Sequence, residues 1–95
     1  MHKVIVEIKA ENPSQTKRIK HFFSGRKEGF HQYVTFNRDG EVLKDNIIHN
    51  GDGSARHIIE YKLADKKTAK YTRTFLNKKL KQTSFNVRYI TAVEE

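Results

Sequence analysis

Five histidines are the first residues to ask chemistry of. His31 and Tyr33 stand two apart in FHQYVTFN, and Arg56 and His57 are neighbours in SARHIIEYKL. A general acid, a general base and a cation at the phosphate are the minimum set for metal-independent phosphodiester cleavage. In a regular strand, however, Arg56 and His57 point to opposite faces. The set does not converge, and the sequence favours a non-catalytic protein. HExxH is absent, and no His/Asp group has metal-ligand spacing. The chain has no cysteine, which excludes thiolate metal sites, thiol catalysis and disulfide staples. Nothing in the sequence calls for a cofactor. HNGDGS (49–54) places two glycines where backbone N–H groups could cradle an anion. Asp52 within it would repel phosphate, so the segment reads as a turn.

A different chemistry is written in KKTAKYTRTFLNKKLKQ, Lys66–Gln82, which carries seven Lys or Arg and no acid. An ordinary solvated helix mixes signs to gain i,i+4 pairs. Here Lys66, Lys67, Lys70, Arg73, Lys78, Lys79 and Lys81 have no acidic neighbour on their own segment and could follow a phosphate backbone. Lys and Arg are also good helix formers whose stems cover apolar edges, so solvation alone is the competing explanation. Arg26 and Lys27, in the loop SGRKEG, could extend the patch, as could Lys17, Arg18 and Lys20. The formal net charge is +8. Its excess lies in residues 1–30 and 64–95, while residues 31–63 are close to neutral. Such a field favours anionic partners.

The elements that must position these groups follow from periodicity. KVIVEIK alternates as a half-buried strand with Val4, Val6 and Ile8 on one side. Asn12, Pro13 and Gln15 form a helix start, and Thr16, Ile19, Phe22 and Phe23 share a face up to Gly25, giving a helix over 13–24. FHQYVTFN alternates again and is expected to be a strand, closed by Asp39–Gly40 as a hairpin signal. EVLKDNII and SARHIIEYKL complete a meander. A second helix from about Asp65 to Gln82–Ser84 carries Ala69, Thr72, Leu76 and Lys79/Leu80 along one stripe, with Phe75 beside it. FNVRYITAV is the last strand.

The expected architecture is one α+β domain over residues 1–95, in the order β-α-β-β-β-α-β. Two helices cover one face of a five-stranded, mixed or mostly antiparallel sheet. It looks like a ferredoxin-like sandwich with one extra strand. Phe30, Val34, Phe36, Phe85, Val87 and Tyr89 are expected under the helices. The uncovered face would then present Ile5, His31, Tyr33, Arg56, Ile58, Arg88 and Ile90. That row suits either a homodimer interface with isoleucines at its dry centre or a platform on which unpaired bases stack.

The sequence reading is therefore a non-catalytic protein that binds DNA or RNA through basic helix surfaces. The alternative is a small protein-interaction module, an inhibitor or adaptor, that dimerises through its open sheet. The absence of cysteine, of an apolar leader and of any membrane-length apolar run points to the cytoplasm and to no membrane partner.

Overall fold

The computed structural model describes the whole chain, Met1–Glu95. The elements are β1 (His2–Ala10), α1 (Pro13–Ser24), a short α2 (Phe30–Gln32) running into a π-helical turn (Tyr33–Asn37), β2 (Glu41–His49), β3 (Ala55–Leu63), α3 (Lys66–Leu80) and β4 (Asn86–Glu94). The strands form one sheet in the order β2-β3-β1-β4, with every neighbouring pair antiparallel. β1 and β2 therefore run parallel with β3 between them, as do β3 and β4 around β1. This is the split β-α-β arrangement of the ferredoxin-like sandwich. It has four strands and three helices, not five strands and two.

Local chemistry explains where the two long helices start. The Asn12 side chain accepts the Gln15 N–H at 2.9 Å, and Gln15 Oε1 accepts the Glu11 N–H at 2.8 Å. These bonds satisfy donors that a helix N-terminus otherwise leaves open. Asp65 caps α3 in the same way through the Thr68 N–H at 2.8 Å, and that bond holds its carboxyl below the usual range. One core joins the layers. Val4, Val6, Ile8 and Ala10 of β1 meet Ile59, Tyr61 and Leu63 of β3, under Ile19, Phe23, Ala69, Leu76 and Leu80 of the helices.

FHQYVTFN is helical, against the expected strand. Phe30 and Val34 satisfy a period of two and an i,i+4 spacing equally well. The helix wins because it also turns Tyr33 toward the same side. The Phe30 and Tyr33 ring centroids lie 5.2 Å apart, and Tyr33 sits 4.6 Å from Phe75 of α3. A strand would have sent Tyr33 to the opposite face. Phe36, expected in the core, is 80% exposed. Asp39–Gly40 closes this helix instead of a hairpin. The Gly40 N–H donates to the Val34 carbonyl at 2.9 Å, and a Cβ at Gly40 would stand 2.5 Å from Val34 Cγ1.

The last strand carries a second correction. Glu7 pairs with Tyr89 but Ile8 with Val87, so Arg88 is an inserted residue. This bulge reverses the parity of the strand. Ile90 and Ala92 then join the core side with Val87, while Tyr89 moves to the open face, 45% exposed.

Candidate nucleic-acid interface

The loop between α1 and α2 is held tightly although its side chains are exposed. The Gly29 N–H donates to the Gly25 carbonyl at 3.2 Å, and Gln32 Nε2 donates to the Arg26 carbonyl. A Cβ at Gly29 would meet the Gly25 oxygen at 2.5 Å, so only glycine closes the loop this way. The closed loop turns Arg26 and Lys27 into solvent at the mouth of a groove of about 960 Å³. Its walls are the end of α1, the loop, α2 with its π-turn, and α3. Phe22, Phe36 and Phe75 line it together with Arg26, Lys27 and Lys79. Glu28 is the one acid among the lining residues.

The aromatic side of the groove continues inward. Phe22 contacts Phe23, Phe30 and Phe85 at centroid distances of 4.9, 6.3 and 6.0 Å. Lys79 Nζ stands 5.2 Å from the Phe75 ring centre. Nearby, Arg38 donates to the Tyr33 hydroxyl at 2.8 Å, and its guanidinium carbon sits 4.0 Å from the exposed Tyr71 ring. Such stacked guanidinium and aromatic groups are suited to flat, anionic ligands.

The other basic residues of α3 spread in different directions. Lys66 and Lys70 border a small crevice beside His2 and Glu94 at the β4 edge. Arg73 reaches over β4 toward the Ile90 carbonyl at 3.4 Å. Lys67, Lys78 and Lys81 are exposed. The basic stretch is thus not one stripe. Of its seven cations, Lys79 is the one that shares the groove with Arg26 and Lys27.

No protein-family model matches the chain, and no curated protein is significantly similar to it in sequence.

Charge pairing divides the molecule. Each ion pair joins groups on the strands or just beyond their ends, and a hydrogen bond between His31 and Asp45 ties α2 to β2. α1 and α3 contribute none, so none of the lysines of α3 is ion-paired. On the open sheet face the opposite holds. Lys3 and Lys44 both pair with Glu60, at 3.4 and 3.2 Å, and Arg56 pairs with Glu7 at 3.0 Å. The carboxylate side chains of Glu7 and Glu60 are only 14% and 15% exposed. In the register of β1 and β3 they stand opposite the half-buried Ile58 and Ile5, respectively.

The remaining sheet-face candidates separate. Arg88 projects from the bulge, Ile90 packs on the core side, and His31 and Tyr33 belong to the helix layer. The imagined hydrolytic set therefore does not assemble. His57 lies on the helix side and Arg56 on the open side, as strand parity dictates. His31 is instead a tie between layers. Its Nε2 donates to Asp45 of β2 at 2.7 Å, and its Nδ1 accepts the Tyr61 hydroxyl at 2.7 Å. Burial pushes the Tyr61 phenol well above its ordinary pKa, which keeps it a donor. His57 is buried with no partner for Nε2, and burial lowers its pKa. The HNGDGS turn is closed internally. Asp52 accepts from the Ser54 hydroxyl at 2.6 Å and the Ser54 N–H at 3.0 Å, which holds its carboxyl below the usual range.

Sequence reasoning passed over Phe22, Phe36, Phe75 and Arg38 as binding residues. A signal was present in HFFSGRKEGF, where adjacent phenylalanines abut two cations and two glycines. Core and loop roles account for the same pattern, so it does not single out a groove.

Proposed function

We propose that this chain is a non-catalytic nucleic-acid-binding protein that docks a phosphate backbone against its helix layer. The observation that carries the reading is the convergence of Arg26, Lys27 and Lys79, none of them ion-paired, on one aromatic groove. Like charges one turn apart, such as Lys66 and Lys70, each cost a helix a few tenths of a kcal/mol. α3 bears that cost with the capping Asp65 as its one acid. Lys78 and Lys79 gain some return from the helix dipole at the C-terminus. The remaining cations gain it from an external anion.

Self-association through the open sheet is the weaker reading. Ile5 and Ile58, with the exposed Ile48 and Tyr89, would have to supply its dry centre, yet the two central isoleucines lie among charged pairs that are already satisfied internally. Removing those pairs from water again carries a desolvation cost that a self-association has to offset.

Fluorescence anisotropy of a labelled oligonucleotide across a salt series tests the proposal. Micromolar binding whose log K falls with log salt is the expected result. Three groove contacts at about 0.7 each give a slope of about −2 or steeper. Absence of binding at about 50 mM salt would leave the cations as a solvated surface.

A further inference from the structure

We infer that the groove selects unpaired over base-paired nucleic acid, with a base stacking on Phe36. This rests on the nucleic-acid reading above and adds the class of ligand. Phe36 is the most exposed large apolar side chain in the molecule, at 80%. It is not on a loose tip. It sits in the π-turn, whose end is fixed by two donors to one acceptor, since the Val34 carbonyl takes the Arg38 N–H at 3.2 Å and the Gly40 N–H at 2.9 Å. Single π-turns are frequent at functional sites. Here the turn aims a phenyl ring into water at the wall of a basic groove.

The chemistry of the walls narrows the ligand. Cations enter from two sides, Arg26 and Lys27 from the loop and Lys79 from α3. The rings of Phe36, Phe22 and Phe75 come from three different elements between them. A ligand that uses both needs negative charge and a flat aromatic face linked in one chain. A nucleotide strand has both. In a duplex the base faces are already stacked on one another, and only phosphates and groove edges remain available. A duplex would therefore meet the cations and leave Phe36 in water. Stacking on a phenyl ring is tolerant of base identity, so the selection is for strandedness and not for sequence.

The chain contains no tryptophan, so Phe36→Trp creates a single fluorescent reporter at the proposed contact. Titration with oligo(dT) and oligo(U) should quench its emission in parallel with the anisotropy of the labelled oligonucleotide. The extent with each would rank the two sugars. A self-complementary duplex should bind more weakly and leave the emission unchanged. Phe36→Ala should lower single-strand affinity by about 5- to 150-fold, the worth of one stacked base, with the salt slope unaltered. Because Phe36 is exposed, circular dichroism should show both variants folded. Saturable oligonucleotide binding with no change in the indole emission of the Phe36→Trp variant overturns this inference while the general reading stands. Equal affinity for duplex and single strand does the same. No oligonucleotide binding at all, with an acidic peptide altering the emission instead, overturns both.

Discussion

Lys79 Nζ stands 5.2 Å from the ring centre of Phe75, one turn back on α3, at the wall of a groove whose other side carries Arg26 and Lys27. This pairing of cation and ring separates Lys79 from the other basic residues of its helix. Lys66 and Lys70 face an edge of the sheet, beside Glu94 and away from the groove.

That difference gives the first prediction. Arg26→Glu combined with Lys79→Glu should weaken oligonucleotide binding at least tenfold and flatten the salt slope by about 1.4, two single-strand contacts. Lys66→Glu with Lys70→Glu carries the same charge change and should cost several-fold less. Neither pair breaks an ion pair, so thermal melting should move little. Equal losses from the two pairs would mean that net charge, not the groove, governs binding.

The open sheet face supplies a second prediction. Ile58→Asp should leave both the mass by light scattering and the oligonucleotide affinity unchanged, with a stability loss of about 1 kcal/mol from its half-buried site. A fall in mass from dimer to monomer would establish the sheet face as an interface and revive the reading set aside above.

The acid limb of stability tests His57. Burial lowers its folded-state pKa beneath the unfolded value of about 6.5. The unfolded chain therefore takes up a proton first. This contribution to stability is fully present above the unfolded pKa and is lost as pH falls from there toward the folded pKa. Asp45 opposes the shift, and Lys20 and His49 add to it. Urea midpoints should decline between about pH 7 and 5, with one proton accounting for at most about 1.4 kcal/mol per pH unit. His57→Leu removes the unpaired Nε2 and should shrink that decline. An unchanged pH profile in the variant would assign it to other groups.

The link between α2 and the sheet can be measured by a double-mutant cycle. Asp45→Ala and His31→Ala should each destabilise by about 1–2 kcal/mol, and the double mutant should lose less than their sum because one bond at 2.7 Å joins them. Additive losses would show that the bond contributes nothing net. The cycle also bears on the groove, since His31 anchors the helix from which Phe36 projects.

Much of this arrangement was legible in the sequence, and the misreadings have local causes. Asn12–Pro13 and Asp65 marked both long helices correctly because cap chemistry is carried by neighbouring residues. β1 and β3 kept an unbroken alternation and were placed on their proper faces. FHQYVTFN failed because an eight-residue apolar pattern fits two periods, and long-range packing of Tyr33 on Phe75 decides between them. Asp39–Gly40 reads as a hairpin turn but ends a helix, because such a pair marks a turn without saying which element precedes it. Tyr89 and Ile90 exchanged faces through a bulge that no residue type announces. The groove stayed hidden for the same reason. Lys79 is far from Arg26 and Phe36 in the chain, and the helical course of residues 30–37 brings all three to one groove.

Backbone amide shifts during titration with an oligo(dT) test the central claim most directly, because they locate the contact residue by residue. The account predicts the largest perturbations at Arg26, Lys27, Phe36 and Lys79, with Ile5, Arg56 and Ile58 unmoved. Perturbations centred on those three sheet residues, or at Lys66 and Lys70, would contradict it.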